Sequence, residues 1–315
     1  MEIITKETIN KLPNKYYIEG SVYLVDYTPI KKEKTAYIDG SIQTTDGNIA
    51  FKVWSNEKAY LQLQDVDYRN TACNVKAEVN LYNGTVSLLL KEVEKSTEYE
   101  EDDFFTSSYD IKKMDNELRT ILNDNLSERA LELIDLMLLE NENYDAFCKE
   151  YAAKSNHDNC RGGLLAHTLK MLKTLVYMLD IYPNLAFSED PQEIKDLYII
   201  GVVMHDFGKI KEMKNGVYQP YSNSTHRVFG LEHIFTYRDV IIEKYDEAWY
   251  YNLVDIITQH HDEYAEPSSA VASYIVHLID DIDAQLTKIE SRLKNECCEN
   301  STGKFIEVDD KKLYL

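Results

Sequence analysis

The feature that most constrains this chain is a change of hydrophobic period partway along it. From Tyr16 to about Val93, β-branched and aromatic residues recur in short alternating runs: YYIEGSVYLVDY, TAYIDGSIQTT, NIAFKVW, NVKAEVNLY and TVSLLLKEV. A two-residue period belongs to strands with one buried face. From Asp110 onward the apolar steps become three and four residues, as in ELRTILNDNL and SERALELIDLMLLENENYDAFCKEY, which is the spacing of helices. The sequence therefore predicts two domains of different class, all-β and then all-α, and 315 residues are ample for two cores.

In the first part, Asp46-Gly47 and Asn83-Gly84 suit primed two-residue turns. The stretch SNEKAYLQLQDVDYRN, between the third and fourth strands, is predicted to hold a short helix. Five strands with an insertion after the third is the order of an OB-fold barrel, assigned to residues 1–97. An acidic linker follows at 98–110, within STEYEEDDFFTSSYD. Residues 111–300 read as helices, with Ser127 as an N-cap, and 301–315 as a C-terminal tail, loose or forming one added strand.

Composition narrows the function classes. No signal-peptide core opens the chain and no apolar run could span a bilayer, so the expectation is a cytoplasmic protein without a membrane partner. Five cysteines (Cys73, Cys148, Cys160, Cys297, Cys298) lack zinc-ribbon spacing and read as reduced, mostly buried thiols. A net charge of −21 argues against coating a polyanion by bulk attraction. The imbalance is uneven: residues 1–97 hold 12 Lys+Arg against 13 Asp+Glu, while the remainder holds 22 against 42. The first domain is thus the better candidate for touching nucleic acid.

The helical part carries His167, His205-Asp206, His233, His260-His261 and Asp280. His167 shares a helix stripe with Leu164 and Met171. His205-Asp206 ends the apolar run IIGVVM, and the following Phe207-Gly208-Lys209 offers a glycine to stop the helix. His277, Asp280 and Asp281 are three and four apart on the last long helix. A single such histidine is more often a hydrogen-bonded core residue than a ligand. The set reads otherwise, because buried imidazole and carboxylate are costly unless paired or metal-bound. Without thiolate, the donors suit Mn²⁺, Fe²⁺ or a similar ion. His157 and His226 are expected in surface loops, with His226 and Arg227 as an alternative phosphate contact; Asp281 and Asp283 are expected to be solvated or to support a ligand from behind.

This series resembles the HD-domain phosphohydrolases, all-helical metal-dependent enzymes that cleave phosphate esters. An OB-like domain followed by GGLLAHTLKML, HDFGKI, HI, HH and HLIDDIDA is, more closely, similar to the YhaM-type 3′–5′ exoribonucleases. The resemblance implies two divalent ions, Mn²⁺ first, with Fe²⁺, Co²⁺, Ni²⁺ or Mg²⁺ as alternatives. It places His167, His205, Asp206 and Asp280 on the first, and has Asp206 bridge to a second held by His233 and by His260 or His261. Asp206 would orient the attacking water and Lys209 would neutralise a phosphate oxygen. Two positions depart from the family pattern: Ala166 replaces a glutamate, and Glu232 replaces a glycine and is expected to bring a carboxylate beside the site.

The implied reaction trims single-stranded RNA, or short DNA, from the 3′ end to nucleoside 5′-monophosphates, in a chain that can form a homo-oligomer. Rival readings are hydrolysis of a small nucleotide, such as a cyclic oligonucleotide or a nucleoside triphosphate, and a non-catalytic nucleic-acid-binding protein. On the barrel, stacking candidates are Tyr37, Phe51, Trp54 and Tyr82, near Lys34, Lys52 and Lys76. Phe51 and Val53 read as an inward pair, leaving Lys52 and Trp54 as the outward ones.

Overall fold

The computed structural model describes all residues except 33–34, 83, 106, 108, 154–159, 187, 220–224, 262–269, 296–297, 301–302 and 310. Lys34, Asn83, His157 and Cys297 lie outside the described residues. The chain divides into two compact units, Met1–Thr106 and Ser107–Leu315.

The first unit opens with helix α1 (Lys6–Asn10) and continues through β1 (Tyr17–Lys31), β2 (Ala36–Thr44), β3 (Gly47–Trp54), α2 (Lys58–Asp65), β4 (Thr71–Tyr82) and β5 (Thr85–Lys95). The five strands close into a barrel in the order β1-β2-β3-β5-β4. β1 is long enough to pair antiparallel with both β2 and β4, and a short parallel contact between β3 and β5 at Phe51↔Leu88 completes the closure. This is the OB-like barrel that the sequence predicts, with α2 in the expected insertion. The two-residue period is visible in β3: Ile49, Phe51 and Val53 are buried while Trp54 is exposed.

The first hairpin differs from expectation by one residue. Thr44 pairs with Gly47, so the loop is Thr45-Asp46 rather than Asp46-Gly47. Asp46 is claimed elsewhere: its carboxylate accepts from the backbone N–H groups of Lys6 (2.6 Å) and Glu7 (2.7 Å), capping α1. The second hairpin joins Tyr82 to Thr85, with Gly84 at φ 77°. The acidic run after the barrel is not wholly solvated. Phe104 and Phe105 are buried, Tyr23 lies edge-on to Phe105 at 5.0 Å, and its hydroxyl donates to Glu101 at 2.6 Å. Two adjacent phenylalanines have more to gain from burial than the surrounding charges can oppose.

The second unit is helical through α3 (Ile111–Asn125), α4 (Glu128–Ile134), α5 (Tyr144–Lys149), α6 (Gly163–Ile181), α7 (Pro191–Met204), α8 (Lys209–Glu212), α9 (His226–Thr236), α10 (Arg238–Lys244), α11 (Glu247–Gln259) and α12 (Val271–Asn295). A small hairpin, β6 (Met213–Lys214) and β7 (Val217–Tyr218), follows α8. Ser127 caps α4, its hydroxyl accepting from the N–H of Ala130. The last residues form a three-stranded antiparallel sheet, β8 (Cys298–Asn300), β9 (Gly303–Val308) and β10 (Lys311–Tyr314), where the sequence suggested a tail or a single strand. The core gathers Leu169 and Leu172 of α6, Ile200 and Val203 of α7, Ile256 and Ile257 of α11 and Ile279 of α12. Of these helices α6 carries His167 and α12 carries Asp280, while His205-Asp206 and His260-His261 follow the C-terminal ends of α7 and α11. Cys73 and Cys148 are buried thiols outside any disulfide, and burial pushes both up to about 12. No described helix is long and apolar enough to cross a membrane.

Candidate metal centre

Helix ends and inward faces bring most of the expected residues to one place. His205 caps the C-terminus of α7. There its Nδ1–H donates to the carbonyl of Val202 at 2.7 Å, which turns Nε2 toward Asp206 Oδ2 at 3.3 Å. His167, fully buried on α6, directs Nε2 to Asp280 Oδ1 (3.2 Å) and Asp206 Oδ2 (3.8 Å). His260 follows α11, with Nδ1 held 3.0 Å from the carbonyl of Ile257 and Nε2 facing Asp206 Oδ1 at 3.8 Å. His277 in turn bonds the His260 carbonyl at 2.9 Å, steadying that turn.

Two overlapping groups result, His167-His205-Asp206 and Asp206-His226-His260-His261, each with its donor atoms within 4.8 Å of one another. Asp206 belongs to both. His226 was expected in a surface loop, yet it is buried at the first position of α9. Its Nδ1–H donates to Glu212 Oε2 at 3.1 Å. Its Nε2 lies 3.3 Å from that of His260, 3.1 Å from that of His261 and 3.5 Å from Asp206 Oδ1.

His233 does not join them. Its Nε2–H donates to the carbonyl of Met137 at 2.8 Å, and its ring packs on Phe207 at 4.1 Å. His226 and His233 lie seven residues apart on one helix, about 10 Å along its axis, so only one end of α9 can reach the cluster. Glu232 also departs from expectation: it is exposed on the far side of that turn, 3.8 Å from Lys211. His167 finds its partner behind the ring in Asp283, buried and 2.7 Å from Nδ1. Asp281 is exposed.

Gly208 was read as a helix stop, but its backbone is right-handed helical (φ −62°, ψ −15°). It is a glycine because α9 leaves no room: a β-carbon there would stand 1.9 Å from the His226 carbonyl oxygen and 2.6 Å from the Gly230 nitrogen. Glu212 has no sequence signal beyond its position three residues after Lys209, whereas Asp283, three after Asp280, is one of the two aspartates expected in solvent or behind a ligand.

The donors fit a divalent cation. Nδ1 of four histidines is engaged by a carbonyl or carboxylate, which points each Nε2 at the others and at Asp206, the arrangement that outer partners impose on metal-binding imidazoles. Among the described residues, Nε2 of His205 and Oδ1 of Asp206 are buried without a hydrogen bond. Donors around an ion at ~2.1 Å stand roughly 3.0–3.4 Å apart, close to the spacings found here. Burial holds His260 well below the ordinary imidazole value and brings His261 down to about 4, so both present bare nitrogens at neutral pH. Burial opposes ionisation of Asp206, but Lys209, 2.5 Å away, and His205 hold its carboxyl well below the usual range.

On the barrel, Trp54 is exposed and Lys52 lies over it and over Tyr37, at 5.4 and 4.5 Å from the ring centres. Tyr37 itself is buried, supporting Trp54 from 5.6 Å rather than offering a free face. Lys31, Lys32, Trp54 and Asn56 line an adjoining depression of about 410 Å³. Tyr82 is exposed elsewhere: the β3–β5 and β4–β5 registers set it at the opposite end of these strands from Trp54. Lys76 is paired with Glu92 at 3.4 Å.

No family model matches the chain. It is 25% identical to the 3′-5′ exoribonuclease YhaM of Bacillus subtilis over 287 residues, 87% of this chain and 86% of that protein. The same protein from Bacillus licheniformis matches at 25% over 292 residues, with the same coverage. A solved replication protein A heterotrimer bound to ssDNA matches with 10% identity and a TM-score of 0.22 over 29% of this chain and 64% of that one, too slight a likeness to enter the argument. The order of an OB-like barrel and a helical unit, together with these matches, makes this a chain of the kind that resembles the YhaM-type 3′–5′ exoribonucleases along most of its length.

Proposed function

We propose that this protein is a metal-dependent 3′–5′ exoribonuclease that shortens single-stranded RNA to nucleoside 5′-monophosphates. The observation that carries the reading is the double cluster around Asp206, in a chain similar over 87% of its length to 3′-5′ exoribonucleases. His167, His205, Asp206 and Asp280 would hold one divalent ion, and Asp206 with the imidazoles on its other side a second. When bound, such ions activate water as a nucleophile and neutralise charge building on the phosphate oxygens.

The chain's own groups supply the rest. Asp206, at the centre of both groups, orients the attacking water. Lys209, held charged against burial by Asp206, would neutralise a non-bridging phosphate oxygen. Trp54 and Lys52 give the barrel a stacking face and a phosphate contact for the strand. Incubation with Mn²⁺ and a 5′-labelled single-stranded RNA should give a ladder shortening from the 3′ end. An intact strand alongside turnover of a cyclic dinucleotide would hand the site to the small-nucleotide reading.

A further inference from the structure

We propose that the two halves of the cluster are unlike metal positions, that His226 rather than His233 completes the second, and that Glu212 is the positioning residue that keeps His226 in ligand form. The proposal rests on the metal-dependent reading above and specifies how that site is loaded. One position offers two imidazoles and two carboxylates: His167, His205, Asp206 and Asp280. The other offers three imidazoles, His226, His260 and His261, around the second oxygen of the shared Asp206. Nitrogen-rich sets favour late divalent metals such as Co²⁺, whereas carboxylate-rich ones suit Mn²⁺ and Mg²⁺.

Competition for the shared carboxylate separates the positions further. Lys209 Nζ sits 2.5 Å from Asp206 Oδ2, the oxygen that faces His167 and His205. Asp206 Oδ1, facing His226 and His260, makes no hydrogen bond among the described residues. A cation entering the first position therefore meets an ammonium group already bound to its ligand. The imidazole-rich position fills first and holds its ion more tightly.

Glu212 acts through His226. It is buried at the end of α8, and by accepting the Nδ1–H at 3.1 Å it fixes the proton there and leaves the Nε2 lone pair facing His260 and His261. The carbonyl of Met137 consumes the same nitrogen of His233.

The test is a Co²⁺ titration of the full chain after chelator treatment and dialysis, read by visible absorption and by metal bound per chain. The wild type should bind two ions in two steps, the first tighter by at least about tenfold. His226→Ala should lose the tighter ion and keep the other, while His233→Ala should keep both. His226→Gln, which preserves bulk, carries the same expectation if His226→Ala fails to fold by circular dichroism. Glu212→Ala should weaken the first step by about 10–100-fold, and Glu212→Gln, whose amide oxygen still accepts, should recover most of it. Loss of the tight step in His233→Ala with its retention in His226→Ala would overturn the assignment. So would two equal steps, or a single ion in the wild type. A chain that loads both ions as expected yet leaves RNA intact would sink the exoribonuclease reading and leave this one standing.

Discussion

The carbonyl oxygen of His226 lies so near Gly208 that a β-carbon on the glycine would stand 1.9 Å from it. That contact seats the first turn of α9 beside the His205-Asp206 corner and brings the His226 imidazole to within 3.5 Å of Asp206. Gly208→Ala should push α9 away, cost about 1–3 kcal/mol of stability by overpacking, and lower the metal bound per chain. Chemical unfolding and metal analysis of the same sample check both. An unchanged midpoint with full metal content would show that α9 is seated by other contacts.

Asp206 is the residue common to both donor groups, so its loss should exceed that of any outer partner. Asp206→Asn should reduce RNA shortening by more than the ~10–100-fold typical of residues behind a ligand. Strand binding, assigned to the barrel, should change little. Filter binding beside a cleavage assay separates the two, and parallel loss of both would end that division of labour.

Stability of the metal-free protein should peak near pH 6.5. Burial disfavours a charge on His167, but Asp280 and Asp283 outweigh it and raise the imidazole from 6.5 to about 9. Its contribution is full below the unfolded value and fades as pH rises through the folded one. His261 has the opposite sign: lowered from 6.5 to about 4, it contributes above the unfolded value and loses that contribution as pH falls. Melting temperatures in chelator across this range should trace a dome, with the alkaline fall reduced in Asp280→Asn. A melting temperature that climbs steadily to pH 9 would contradict the assignment.

Trp54 and Tyr82 sit at opposite ends of their strands, and among the described residues a lysine lies above Trp54 and none above Tyr82. Trp54→Ala should weaken single-stranded RNA binding by ~1–3 kcal/mol. Tyr82→Ala should leave it within about 0.5 kcal/mol, as for a surface change without a partner. Equal effects, measured by fluorescence anisotropy, would place the strand along the whole barrel instead.

Much of this protein was legible in its residues alone. The change of period marked a barrel and a helical unit because alternation and three-to-four spacing are local consequences of strand and helix geometry. His205-Asp206 stood out because an imidazole and a carboxylate closing an apolar helix must find partners when that helix is buried. The resemblance pointed to His233 and left His226 to a surface loop, although the two are nearly two full turns apart on α9 and share a face. The seat of α9 against Gly208 brings His226 to Asp206 instead, and the carbonyl of Met137 satisfies His233. Likewise Glu212 was one acidic residue among 55, and Asp283 was left between solvent and the support of a ligand; folding buried each against one imidazole nitrogen. Local spacing depends on neighbours along the chain and so survives in the sequence; donor direction depends on contacts between distant segments, and only the packed helices fix it.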